Sequence, residues 1–319
     1  MIRLLAAVAA FVPLAAFAQD YPAKPIRVII PNAAGSVSEA IFRVMSPQIE
    51  AKLGQRFVVD SRPGADGAIG TTEVIRSAPD GYTLLLAPTA NYAVTPHLFK
   101  THNYEPLVNL EPISMIAEAP LLTIVNTQVP AKNLKELVEY VRANPGKYNY
   151  GSPGTGSPAH LTGAFFSQMA GNGVVHIPYK GTVPMITALL SSDVQMAFPT
   201  LTGVIGQMKA GKLRALAVMS KERLPEVPDV PTAVEAGYPQ LVSTNWWVLS
   251  APKSTSPRIV ERLYAEFKAA LGSPDVKKRV SELGHVTVGL SPADTAAFIK
   301  SESARYKTVV DKGNIRIEQ

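Results

Sequence analysis

Ile26-Arg27-Val28-Ile29-Ile30-Pro31-Asn32-Ala33-Ala34-Gly35-Ser36-Val37-Ser38-Glu39 is the stretch that decides the fold. Four of its first five residues are β-branched and apolar, a run that suits a strand covered on both faces. Pro31 ends that run. From Ser38 apolar residues recur at helical spacing as far as Leu53, and Gly54 stands where a left-handed cap would close the helix. The result is a strand–loop–helix unit, the building block of open α/β sheets. Ligands of such sheets sit beyond the carboxyl ends of the strands, where first-turn amides and the positive end of the helix dipole face an anion. Ala34, Gly35, Ser36, Val37 and Ser38 are therefore candidate ligand-binding residues. Ser36 and Glu39 also have the spacing of a capping box, a purely structural use of the same loop.

The pattern repeats outward from this unit. Residues 57–60, 82–87, 121–125, 148–150, 174–177, 194–198 and 213–218 read as further strands, with helical stretches between them. One helix carries Leu134, Leu137, Val138 and Val141 on a single face and stops at Pro145. Four helix starts are marked by serine before proline, at Ser157-Pro158, Ser256-Pro257, Ser273-Pro274 and Ser291-Pro292. The first of these ends a second small, polar loop, Gly151-Ser152-Pro153-Gly154-Thr155-Gly156-Ser157, which follows a strand as the first loop does. Ser152, Gly154, Thr155, Gly156 and Ser157 join the candidates, with His160 one turn into the helix as a structural or cleft-lining residue. Thr89 and Asn91 after the third strand, Tyr179 after the strand at 174–177, and Thr200 after the strand at 194–198 complete the set.

Length and order suggest two lobes. Three helices from Ser256 onward, without intervening strands, suit packing back onto the first half of the chain. This predicts one lobe from residues 19–120 and 247–319, a second from 121–246, and a hinge of two crossings near 112–125 and 242–252. Trp246 and Trp247 fall at the return crossing, as hinge packing or as ligand contacts.

The first eighteen residues read as an export signal: Arg3 as the basic region, an apolar stretch from Leu4 to Phe17, and the A-x-A site Ala16-Phe17-Ala18. Cleavage after Ala18 would release a soluble chain into a periplasm. The sequence has no cysteine, so a fold of this length is expected to hold together by its core alone. Lys plus Arg number 31 against 25 Asp plus Glu, a net charge of +6. This mild excess is compatible with attracting anions. The basic residues are scattered, and the run Lys277-Lys278-Arg279 reads as a solvated helix face, so no nucleic-acid partner is expected.

Catalytic signatures fail. His97, His102, His160, His176 and His285 lack metal-ligand spacing, there is no H-E-x-x-H and no G-x-S-x-G, and the near P-loop from Gly206 to Lys212 is followed by Leu213 where Ser or Thr belongs. No cofactor motif is present. The expectation is a binding protein without catalysis, the alternative a secreted hydrolase of small carboxylate esters or amides.

Several ordered segments carry a resemblance. They are Tyr21-Pro22-Ala23-Lys24-Pro25-Ile26, Arg62-Pro63-Gly64-Ala65, Ala78-Pro79-Asp80-Gly81-Tyr82-Thr83-Leu84-Leu85, His176-Ile177-Pro178-Tyr179-Lys180-Gly181, Lys209-Ala210-Gly211-Lys212-Leu213-Arg214-Ala215 and Val227-Pro228-Asp229-Val230-Pro231-Thr232. With these the chain resembles the Bug family, the receptors of tripartite tricarboxylate transporters, over almost all of its length. The resemblance implies an α/β periplasmic binding protein fold of the type II kind, each lobe a mainly parallel sheet flanked by helices, joined by a two-strand hinge. It implies a monomer that closes over a di- or tricarboxylate, an acidic amino acid or an aromatic carboxylate, held by loop amides and hydroxyls. It also implies a membrane partner of one large and one small subunit, absent beside some members. Gly35-Ser36 and Glu39 stand where the family often has a double glycine and an aspartate, and the segment Gln195-Met196-Ala197-Phe198-Pro199-Thr200 carries no acid. Fewer acids near the cleft disfavour an amine on the ligand and favour an amine-free dicarboxylate or an aromatic acid.

Overall fold

A computed structural model describes residues 21–98, 104–171, 173–313 and 315. The export signal, its cleavage site and His102 lie outside the described residues. The first lobe opens with β1 (Ile26–Ile30), α1 (Val37–Leu53), β2 (Phe57–Ser61), α2 (Ala68–Ile75) and β3 (Thr83–Pro88). A π-helical turn, Ala90–Val94, then leads through the short helices α3 (Thr95–Leu98) and α4 (Pro106–Asn109) to the long strand β4 (Leu110–Pro120). The second lobe contains β5 (Leu122–Asn126), α5 (Leu134–Ala143), β6 (Tyr148–Ser152), α6 (Pro158–Met169), β7 (Val174–Pro178), α7 (Thr182–Ser191), β8 (Met196–Ala197), α8 (Ile205–Lys209) and β9 (Leu213–Val218). The chain returns through β10 (Thr244–Pro252) and finishes the first lobe with α9 (Pro257–Gly272), α10 (Pro274–Glu282), β11 (Val286–Thr287) and α11 (Pro292–Lys312).

Among the described residues the first sheet has the order β11-β4-β10-β3-β1-β2 and the second β7-β6-β8-β5-β9. Both are mixed, which corrects the expectation of mainly parallel sheets. β1 pairs in parallel with β2 and β3, and β6 with β7 and β8. The hinge strands do the opposite. β4 leaves the first lobe and β10 re-enters it, so the two run against each other, and β10 is also antiparallel to β3. A chain that crosses between lobes twice must pass in opposite directions, and pairing the two passes side by side forces antiparallel registry.

The crossings meet at Leu121 and Ser243. The Leu121 N–H donates to the Ser243 carbonyl at 3.1 Å, and the Leu121 carbonyl accepts from the Met219 N–H at 2.7 Å. Thr244, Asn245 and Trp246 pair with Pro120, Ala119 and Glu118 of β4 and so belong to the first sheet.

Each sheet is covered on both faces, the reason its strands read as continuous apolar runs. In the first lobe Val28 and Ile30 pack with Phe42, Met45 and Phe267 toward α1 and α9, while Ile29 faces a separate cluster with Leu85, Trp246 and Tyr306. In the second, Leu134, Val138, Tyr150 and Phe166 cover one face and Met185, Leu189 and Val194 the other. Ser157 and Ser291 cap their helices, accepting from the N–H groups of His160 and Asp294. Ser256 and Ser273 occupy the same position without a side-chain cap bond.

Candidate functional site

Three helices start on one cavity of about 320 Å³ between the lobes, within the roughly 300–1,000 Å³ of small-molecule sites. α1 brings Ser36, Val37 and Ser38, α6 brings Ser157, Pro158 and Ala159, and α7 brings Thr182 and Met185. Asn32 follows β1, Pro88 ends β3, and Asn245 and Trp247 come from the returning strand. Leu121 sits at the crossing itself, and Phe198, Pro199, Thr200, Thr202 and His285 complete the wall.

The α1 end is set by Gly35, which takes a left-handed φ of 75° so that the chain can turn into the helix. The capping box does not form as its spacing suggests. Ser36 is the N-cap but its side chain makes no cap bond, and Glu39 accepts instead from the Gly35 N–H at 2.9 Å and from Arg43 Nε at 2.7 Å. These bonds, the Gly35 amide first, hold the Glu39 carboxyl below the usual range. Ser36 Oγ is left buried with no partner in the protein. Such a group normally has a partner, and here it lies in the cavity wall.

Ser38 is anchored from across the chain. Its Oγ accepts from Trp247 Nε1 at 2.9 Å and donates to Asn32 Oδ1 at 3.0 Å. With Oδ1 engaged, the amide nitrogen of Asn32 remains as a donor.

The second loop is braced from beneath. Ser157 Oγ donates to the Gly154 carbonyl at 2.7 Å while accepting from the His160 N–H at 3.2 Å. The Gly156 N–H donates to His160 Nδ1 at 3.0 Å, which requires that nitrogen to be unprotonated. His160 stacks on His176 with centroids 3.9 Å apart. Burial pushes the imidazole of His160 down to about 3, helped by the neighbouring His176, and that of His176 down to about 4. Both are neutral braces at ordinary pH. Ser152 Oγ lies 2.7 Å from His176 Nε2, the approach of a nucleophile to its base, but Ser152 is fully buried and its hydroxyl is shared with Gly154.

Among the described residues no Asp, Glu, Lys or Arg lines the cavity. The His285 imidazole in its wall is held below its ordinary pKa by burial. An anion there meets hydroxyls, amides and the partial positive charge of three helix N-termini.

Of the residues singled out in the sequence, Ser36, Val37, Ser38, Ser157 and Thr200 line this cavity. Asn91, Gly154, Thr155 and Gly156 line an adjoining space of about 450 Å³ together with Asp66, and Asn32, Pro88, Pro153 and Ser157 are shared by both. Ala34 and Gly35 precede the wall on the exposed side of the turn. Thr89 is buried behind it, accepting from the Trp246 N–H at 2.8 Å. Ser152 and His160 lie beneath the second loop, and Tyr179 lies beside it, its N–H donating to the Ser152 carbonyl at 2.9 Å. Sequence reasoning left out Asn32, Met185, Phe198, Thr202, Asn245 and His285. Asn32 could have been found, since it stands in the loop two residues after the end of β1. His285 gives no local signal, because it reaches the wall from the turn between α10 and β11.

Among the described residues no group of three or more His, Cys, Asp or Glu is placed to hold a metal ion, and no helix is long and apolar enough to cross a membrane.

The profile of the tripartite tricarboxylate transporter family receptor matches residues 41–315. Protein BugT of Bordetella pertussis is 35% identical over 324 residues, covering 100% of this chain and 99% of that protein. A solved R. palustris protein with adipate is 30% identical, with a TM-score of 0.78 over 93% of this chain and 99% of that one. MatC from Rhodopseudomonas palustris with bound malate is 29% identical, with a TM-score of 0.74 over 91% and 100%. The chain belongs to the tripartite tricarboxylate transporter receptor family, the Bug-type solute-binding proteins.

Proposed function

From that membership we propose that the chain captures a small organic carboxylate between its lobes in the periplasm, without transforming it. It would hand the ligand to the large and small membrane subunits of a tripartite tricarboxylate-type system, or report its presence to a sensing partner. The observation that carries this reading is the meeting of three helix starts and the unpartnered Ser36 Oγ on one cavity that no charged side chain lines among the described residues. Such a wall stabilises a carboxylate through neutral donors. The hydrolase alternative has little to stand on, because the serine closest to a histidine beside the site, Ser152, is buried. Cleavage after Ala18 and a monomeric state belong to the same proposal. So does the lobe assignment, drawn at the crossings as 21–120 with 244–315 against 121–243.

A thermal-shift screen over organic acids tests it. An acid at 100 times its dissociation constant should add about 2.7 kcal/mol of stability. Turnover of small esters or amides that is abolished by serine-to-alanine changes in the cleft would overturn the binding reading.

A further inference from the structure

His285 is a wall residue whose protonation a carboxylate would change. It is buried in the turn between α10 and β11 and meets Trp247 edge-on, with ring centroids 4.9 Å apart and planes at 63°. Trp247 in turn holds Ser38 in the first turn of α1, so a short chain of contacts links the imidazole to a helix start on the cavity. The turn also abuts the second lobe. Gly284, at a φ of 74°, comes so close to Thr202 that an added Cβ would lie 2.4 Å from Cγ2. The ring's own bonding fixes its tautomer. Nδ1 lies 2.6 Å from the Leu283 carbonyl oxygen, and a carbonyl only accepts, so Nδ1 carries the proton. In the neutral ring Nε2 is then a bare acceptor, and it makes no hydrogen bond with another described residue.

We infer that His285 is a proton-linked ligand residue of this site: a bound carboxylate takes a hydrogen bond from Nε2, and one proton enters with it. The inference rests on the carboxylate reading above and adds a residue and a proton to it. A bare Nε2 and a carboxylate oxygen are both acceptors, so they repel unless a proton stands between them. With the proton in place the pair forms a charge-assisted hydrogen bond, stronger than a neutral one. In the free site burial holds the ring below its ordinary pKa, against the opposing pull of the Leu283 carbonyl. A carboxylate at hydrogen-bond distance favours the charged form again. No other charge around the ring competes. β10 and the second-lobe segment 198–203 carry no ionisable side chain. The first two turns of α1 carry Glu39 and Arg43, paired with each other, and β4 carries Glu118 opposite Val286. The last turn of α10 carries Arg279 and Glu282, and Glu226 of the second lobe is bonded to Ser281. None of these lines the cavity, and none shifts the His285 imidazole.

Isothermal titration of the purified chain with adipate, malate and benzoate tests this, joined by any acid that raises the melting temperature in the screen. Such acids are largely ionised above about pH 6, so a trend above that pH belongs to the protein. Affinity should tighten about fivefold or more from about pH 8 to about pH 6, one linked proton giving at most about tenfold per pH unit. Binding heats in buffers of different ionisation enthalpy should report uptake of a proton. His285→Gln puts an amide N–H near the Nε2 position, and should bind with an affinity that no longer follows pH. His285→Asn keeps a donor for Leu283 but leaves the Nε2 position empty, and should bind more weakly than the parent at about pH 6. Thermal melts without ligand establish that each variant is folded, and the buffer dependence of the parent chain reads the proton without either. Constant affinity over this range, heats without proton uptake, or a pH trend that His285→Gln preserves would overturn the inference and leave the carboxylate reading standing. Failure of every acid, in titration and in the screen, would instead remove the reading on which it rests.

Discussion

Trp247 Nε1 donates to Ser38 Oγ at 2.9 Å across 209 positions of sequence. The bond ties the returning hinge strand β10 to the first turn of α1, and both residues are buried in the cavity wall. A change in the hinge therefore reaches the cavity wall directly, without passing through the body of either lobe.

That bond should be energetically real. Ser38→Ala leaves the buried indole N–H unpaired and should cost about 1–3 kcal/mol. Trp247→Phe alone should also destabilise. The double variant, which removes both partners, should lose less than the sum of the two. Urea unfolding of the four proteins measures the coupling, and strict additivity would mean that the bond contributes nothing.

Ser36 and Ser157 both occupy N-caps, yet they should respond differently. Ser157→Ala removes the cap to the His160 N–H and the bond to Gly154, and should cost about 1 kcal/mol. Ser36 makes no cap bond and its hydroxyl is unpaired, so Ser36→Ala should leave stability within about 0.5 kcal/mol of the parent. Both should weaken carboxylate binding. Equal stability losses in thermal melts would show that Ser36 is an ordinary cap.

Acid should unfold the protein through its histidine pair. In the folded chain His160 and His176 resist protonation until about pH 3 and about pH 4, whereas unfolded histidine takes a proton near 6.5. The unfolded state thus binds more protons throughout this window. Stability is intact above about pH 6.5 and falls as pH drops toward 4 and then 3, by up to about 1.4 kcal/mol per pH unit for each histidine. Replacing His160 with Gln should flatten the profile of unfolding free energy between pH 6.5 and 4. An unchanged slope would assign the acid sensitivity to other groups.

Ligand should draw the lobes together. A molecule that touches both favours whichever arrangement it contacts better, and Ser281 on α10 already donates to Glu226 of the second lobe at 2.7 Å. Small-angle scattering at saturation should show a smaller radius of gyration. Trp247 emission should change with it, read in a Trp246→Phe background because Trp246 is packed against Tyr92 and Phe298 away from the cavity. An unchanged radius with silent fluorescence would indicate a rigid cleft.

What the sequence determined by itself is what short-range physics controls. α1 runs to Leu53 and ends on a left-handed Gly54, and β9 spans Leu213–Val218 as its apolar run indicates. The apolar face of Leu134, Leu137, Val138 and Val141 is buried. Periodicity, caps and breakers act over a few residues, so they can be read in order along the chain. The two glycine-bearing loops were legible for the same reason, since a helix start offers its amides wherever the helix is placed. Tertiary structure decided which of those residues face the cavity. It put Thr89, Ser152 and His160 behind the wall and brought Asn32, Phe198 and His285 into it. It also set the antiparallel pairing of β4 with β10, and gave Ser157 a cap bond while leaving Ser36 without one. Each of these depends on which distant segment packs against the residue, and a cavity between two lobes exists only once the chain has crossed and returned.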